Sequence, residues 1–203
     1  MSERVKIILD KNADILRLPA IALRGLVVFP GNIIHFEVGR KKSIAAIEWA
    51  MSNNNAVFLT AQQDMDVEDP GFKDLYAYGV VAEVKQVLRV SDELVKVLVE
   101  GKYRAKLLTL DSSGRFLLAS TKAAALRGTK SVDSARMEAL VRSVKEAFEE
   151  YLSLNPRLSK DVVYTIITNE DAALLCDYIP ANLLLKYTDK QALLNEGTVS
   201  GRL

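Results

Sequence analysis

Few residues in this chain have the types or spacing that chemistry requires. The run Gly128-Thr129-Lys130-Ser131 approaches a phosphate loop, but it lacks the adjacent Gly-Lys pair, and Ala123 stands where a second glycine belongs. It reads as a plain linker. His35 is the single histidine and sits among Ile33, Ile34 and Phe36, without the further imidazole or thiolate partners that a metal wants. Cys176, the only cysteine, excludes an intrachain disulfide and a cysteine-rich zinc site, and reads as a small buried hydrophobe. Carboxylates alternate through Asp64 to Asp74 without the ligand pattern of a calcium hand, so that segment reads as a solvated loop. No catalytic, cofactor-binding or metal-binding residue is assigned.

What is left is surface recognition. The basic cluster Arg40-Lys41-Lys42 sits at a predicted strand-to-helix turn, beside the four apolar residues Leu26, Val27, Val28 and Phe29. If part of that run is exposed, it and the cluster offer an unfolded polypeptide both apolar contact and cations for its carboxylates. The alternative is that the run is core and the lysines merely solubilise. The helical half is a second candidate surface, because amphipathic helices with spare apolar area pack on partner subunits.

The elements that must position these residues begin at Leu18 to Arg40. Two apolar runs, Ile21 to Leu23 and Ile33 to Val38, flank the Pro30-Gly31 turn and predict a hairpin-like opening of the core. A helix should follow from Arg40 to Met51, and Ala56 to Ala61 reads as a short buried strand. Alternation from Ala82 to Val87, the Ser91-Asp92-Glu93 turn and the returning run Leu94 to Glu100 make the best hairpin in the sequence. Gly101 to Arg104 interrupts, with a glycine bulge as the plain structural reading. Strands at Ala105 to Leu110 and Phe116 to Thr121 complete the β-rich part.

Beyond Lys122 to Lys130 everything reads helical. Ser131 is a predicted cap, with Asp133 in the first turn, for a long helix whose apolar stripe runs from Met137 to Leu152. Glu138 with Arg142, Arg142 with Glu146 and Lys145 with Glu149 are i,i+4 pairs on its outer face. Leu158 to Thr168 has β propensity at Val162 to Ile167, but apolar residues recur at helical intervals after a Ser159 cap, so helix is expected. Asn169 with Glu170 and Asp171 starts another helix, whose end Pro180 disturbs. The pair Thr188 and Gln191 forms a capping box for the last one.

Bulk properties bound the function. With 203 residues, about half of them apolar, the chain can bury a sizeable core. Its 27 basic and 26 acidic residues nearly cancel, so no global field draws nucleic acid or an anionic membrane. The N-terminus lacks a secretory or transit pattern, and no segment reaches the roughly 20 apolar residues that span a bilayer. A cytoplasmic location is the expectation.

Leu23-Arg24, Phe29-Pro30, Val38-Gly39-Arg40 and Lys42-Ser43, in this order and spacing, resemble the start of the N-terminal domain of bacterial ATP-dependent Lon proteases. Leu75-Tyr76 with Gly79, the run Val97-Leu98-Val99-Glu100-Gly101 followed by Arg104-Ala105, and Asp189-Lys190-Gln191 with Leu193-Leu194 resemble later landmarks of that family. The likeness departs at Ala22 and near Pro180 and Leu184. It covers about Arg17 to Glu196.

The resemblance implies an α+β fold: a mainly antiparallel, PUA-like pseudo-barrel lobe with one helix, followed by an α-helical bundle lobe. The expected divisions are an N-terminal extension over 1–16, the β-rich lobe over 17–121, a linker over 122–130, the helical lobe over 131–196, and a truncation or vector-derived tail over 197–203. It further implies a substrate-recognition and assembly domain that binds unfolded, damaged or degron-bearing proteins. ATP and Mg2+, a Ser-Lys peptidase and a homohexamer would belong to the parent chain, and this fragment itself would hold no cofactor, nucleic acid or membrane. A stand-alone adaptor and an RNA-binding module remain open; balanced charge and the lack of interleaved Arg and aromatic residues argue against the latter.

Overall fold

Aliphatic and β-branched residues fill six strands, which the computed structural model, describing residues 15–127, 134–155 and 157–203, pairs into one sheet. They are β1 (Leu16–Leu23), β2 (Ile33–Val38), β3 (Ala56–Ala61), β4 (Tyr78–Ser91), β5 (Leu94–Asp111) and β6 (Leu117–Ala123). Their order is β2-β5-β4-β3-β1-β6, and β6 also pairs with β5, so five strands close into a ring with β2 outside it. All pairings are antiparallel except β1 with β3. The mainly antiparallel pseudo-barrel expected from the sequence is therefore present, with helices following it.

β5 is long enough to serve two neighbours along one edge. Its first half takes β2, from Val38 opposite Val95 to Ile33 opposite Glu100, and its second half takes β6. The predicted interruption at Gly101 to Arg104 is a bulge within one continuous strand, because Val81 faces Tyr103 while Ala82 faces Gly101. One apolar cluster draws side chains from all five ring strands, Phe58, Val81, Tyr103 and Leu117 among them, and so fills the barrel. A second lies on the opposite face of β3, where Val57 and Leu59 meet Phe29, Ile47 and Val97. Burial on both faces is why β3 lacks polar alternation, with Thr60 its one polar residue.

The expected hairpin between β1 and β2 does not form. β1 pairs with β3 and β6, and β2 pairs with β5. What the Pro30-Gly31 turn does is bring β2 onto β5. Gly31 has φ +76°, its N–H donates to Gly101 O at 2.8 Å, and Gly101 N donates to Asn32 O at 2.9 Å. A Cβ on Gly101 would lie 2.2 Å from Phe29 O, so only glycine admits that corner.

Helix α1 (Lys41–Met51) packs on β1 and β3 through Ala46, Ile47 and Ala50. The remaining helices are α2 (Ser134–Leu154), α3 (Lys160–Thr168), α4 (Ala172–Asn182), α5 (Tyr187–Asn195) and α6 (Val199–Arg202). Ser159 caps α3 by accepting from Val162 N, as predicted, and helix wins over β propensity there. Val141, Phe148, Ile166 and Leu175 form the helical core.

Four details are corrected. Within the predicted start of α4, Asp171 is the cap, and Pro180 sits inside that helix, which runs on to Asn182. Helix α5 starts after Lys186, so Thr188 is not its cap, and Gln191 is buried, donating instead to Tyr78 O and Asn195 Oδ1. Lys145 pairs with Glu170 at 2.6 Å rather than with Glu149. Residues 197–203 are no loose tail: Arg127 bridges Thr198, and Arg202 is buried against Asp177 and the carbonyls of Leu194 and Glu196. The predicted cap at Ser131 and Asp133, and the run Gly128 to Ser131, lie outside the described residues.

Candidate functional site

A groove of about 330 Å3 opens where the end of β1, the end of β2 and the start of α1 meet. Ile21, Leu23, Leu26, Phe36 and Val38 give it apolar walls, and Arg24, Arg40, Glu37 and Ser43 give it polar ones. Its construction follows from the chain path. After Leu23 the chain bends at Arg24-Gly25, leaves Leu26 half-buried, and sends Val27, Val28 and Phe29 into the core at 4%, 2% and 0% exposure. Val27, Val28 and Phe29 are thereby removed from the expected contact surface, because no polypeptide can reach them in the folded state. Leu26 and Arg40 line the groove.

The basic cluster divides three ways. Lys42 pairs with Asp69 of the acidic loop at 3.0 Å, and Lys41 is exposed with no ion pair among the described residues. Arg40 is half-buried and donates from Nη1 to Ala22 O at 3.0 Å, and from Nη2 to Gln62 Oε1 and to Val67 O. Gln62 is fully buried and donates to Asp64 O and Val67 O, so Arg40 and Gln62 together fix the acidic loop to the barrel. Among the described residues Arg40's acceptors are neutral oxygens, and its buried Nε has no hydrogen-bond partner there. Burial, then repulsion from Arg24, lowers its pKa, against a raising effect from Asp69 and Glu68.

Helix α1 adds to this positive character. Arg40 is its N-cap residue but provides no side-chain cap, and the first turn holds no acid. The first-turn N–H groups and the positive end of the helix dipole therefore face the same region as Arg24 and Arg40, with Lys41 exposed beside it. A groove with apolar walls and cations at one end suits an apolar segment bearing a carboxylate. Sequence reasoning missed Phe36 and the Ile21 to Leu23 wall, which only tertiary pairing brings together. It also missed Gln62, a polar residue directly after a fully buried strand, which was the available cue.

Elsewhere the candidates sort simply. His35 is exposed on β2. Cys176 is buried, and burial, then Asp177, pushes its thiol up to about 11. Among the described residues no group of three His, Cys, Asp or Glu side chains could hold a metal ion, and no helix is long and apolar enough to cross a membrane. A second groove, of about 490 Å3, lies on the helical side between Leu152, Leu158, Val163, Tyr164 and Ile167, with Lys160 as its one charged lining residue.

Comparison with known proteins places this geometry. The family model described as the ATP-dependent protease La (LON) substrate-binding domain matches residues 17–203, including the seven that the sequence reading set aside. The Lon protease of Desulforamulus reducens is 37% identical over 192 residues, which cover 95% of this chain and 23% of that protein. The Lon protease of Escherichia coli K12 is 36% identical over 193 residues, 95% of this chain and 24% of that protein. The chain thus spans about a quarter of the length of these relatives. The fold is similar to the N-terminal domain of a Mycobacterium avium complex Lon protease, with TM-score 0.73 and 20% identity over 92% of this chain and 93% of that one. A Lon N-terminal domain protein from Xanthomonas campestris gives 0.63 and 14%, over 92% and 94%.

Proposed function

The chain belongs to the family of Lon protease substrate-binding domains, and on that premise we propose that it captures unfolded, damaged or degron-bearing polypeptides at the groove between β1, β2 and α1. The observation that carries this reading is the joining of the apolar walls at Leu26 and Phe36 with Arg24 and Arg40, beside the exposed Lys41. An unfolded client displays apolar side chains, which the walls remove from water, and carboxylates, which the cations attract. Specificity stays broad, because neither term reads a particular side chain.

In this reading the chain works as the gripping part of a longer, ATP-dependent serine protease of the cytoplasm. ATP with Mg2+ and a Ser-Lys peptidase would act from residues beyond these 203, and a homohexameric parent would gather several such grooves around one entrance. Nucleic acid and membrane have no part in it.

The test is binding of fluorescently labelled, unfolded casein to the purified 203-residue protein. Leu26→Ser removes an apolar wall and Lys41→Glu reverses an exposed charge; each should weaken binding by about threefold to tenfold. The protein should cleave neither peptide nor ATP. Unchanged affinity in both variants would refute the groove, and turnover abolished by altering one of this chain's own side chains would refute the role.

A further inference from the structure

β2 is the one strand outside the closed ring, and among the described residues it pairs on one side only, with β5. Folded proteins blunt such an edge with a proline, a lysine, a bulge or a covering element, because its unpaired N–H and C=O groups template another strand. Ile33–Val38 contains no proline or lysine, and its register with β5 runs through all six pairs without a shift. Asn32 O accepts from Gly101 N. In an antiparallel ladder bonded residues alternate, so the backbone groups of Ile33, His35 and Glu37 point away from β5. Three consecutive outward positions are enough for a short added strand.

The edge does not end in open water. At its Phe36 to Val38 end it borders the groove, whose far wall is the end of β1. Arg40 lines it there with exposed Lys41 next in the chain, and among the described residues neither forms an ion pair, while Glu37 is the one acid among the groove's lining residues. Ile33, at the opposite end, is 63% exposed. An extended segment with alternating apolar side chains and an acid near one end complements this line of features; a helix or a folded surface does not.

We propose that the open edge of β2 takes an extended segment of a client polypeptide by strand addition, with a client carboxylate held at Arg40 and Lys41. The proposal rests on the polypeptide-binding function and specifies its mode. Backbone hydrogen bonds to Ile33, His35 and Glu37 would supply sequence-independent affinity, and the groove would add a preference for one apolar side chain. A client must therefore be locally unfolded before it can be gripped, since folded segments have already spent those backbone groups.

The probe is an eight-residue peptide alternating valine and serine, capped at both ends, with glutamate at each terminus and a fluorophore, followed by anisotropy. His35→Pro removes an outward N–H and leaves the ladder to β5 intact, so the variant should keep its β-sheet spectrum and lose about tenfold in affinity. Peptides N-methylated at one alternate set of amides should lose about tenfold, while the other set should bind within about twofold of the parent. Replacing both glutamates by glutamine should weaken binding about threefold, and only at low salt.

Equal binding by both methylated sets, with His35→Pro also unaffected, overturns strand addition. If His35→Pro does not fold, the methylated pair decides alone. A wild-type protein that binds unfolded casein but not the peptide overturns this mode and leaves the function standing, whereas failure to bind either removes both. Self-association of the protein that His35→Pro abolishes would assign the edge to a second copy and equally overturn the proposal.

Discussion

Burial decides what Cys176 can do. Its Sγ donates to Ala173 O at 3.2 Å, and its thiol is held up to about 11 by burial first and Asp177 second. The thiolate is the reactive form, so the native protein should resist iodoacetamide near neutral pH, while the urea-unfolded chain is alkylated; intact mass reads the difference. Between the ordinary value of 9.0 and about 11 the unfolded chain has released this proton and the folded one keeps it. Stability therefore falls as pH rises through that window, by no more than about 1.4 kcal/mol per pH unit, and Cys176→Ala should remove that part of the slope in urea melts. Phe29 carries the matching lesson for the apolar run. It is fully buried, so Phe29→Ala should cost about 3–5 kcal/mol in denaturant melts. An unbroken run has no period, so the sequence could name Leu26 to Phe29 as a candidate but could not say that only Leu26 faces the groove.

At the scale of elements, what the sequence revealed was whatever is decided locally. Alternation in β4 and β5, the Ser159 cap of α3 and the helix after Arg40 depend on neighbours a few residues away, and each forms as read. β1 and β2 are neighbours in sequence but not in space, because β1 takes a parallel partner across α1 and β2 takes a partner more than fifty residues downstream. No local pattern encodes those choices, and the groove that depends on them stayed illegible with them. Gly101 is the element-level exception. Val97 and Val99 of its run face the core, Gly101 lies under the Phe29 carbonyl, and Arg104 points to α5, so each residue of that stretch has a tertiary task. Gly101→Ala should displace the Phe29 to Asn32 corner and lower stability by about 1–3 kcal/mol, and because that corner docks β2, casein affinity should fall with it.

In the whole molecule the helices are tied to the barrel by Leu194, which joins the sheet's apolar core, and by a few buried polar groups. Arg104, only 7% exposed, donates to the carbonyls of Ala124, Leu194, Asn195 and Glu196 and lies 4.8 Å from the centre of the Tyr78 ring. It meets α5 at its C-terminal end, where a cation complements the dipole. Arg202 adds carbonyls of the same end and the Asp177 carboxylate, so residues 197–203 lock the barrel and helices together. Polar residues near a chain end look dispensable in sequence, which hid that task. Arg104→Ala should leave those carbonyls unsatisfied, cost about 2–3 kcal/mol and lower the melting temperature by on the order of 5–10 °C. Under the proposed function, two surfaces compete for the client polypeptide, the cationic, apolar groove beside β2 and the groove on α3. Photo-crosslinking of unfolded casein to the purified protein, mapped by mass spectrometry, separates them most directly. Adducts are expected at Leu26, Phe36 and Lys41; adducts confined to Leu158, Tyr164 and Ile167 would move the binding surface to the helices and refute the groove beside β2.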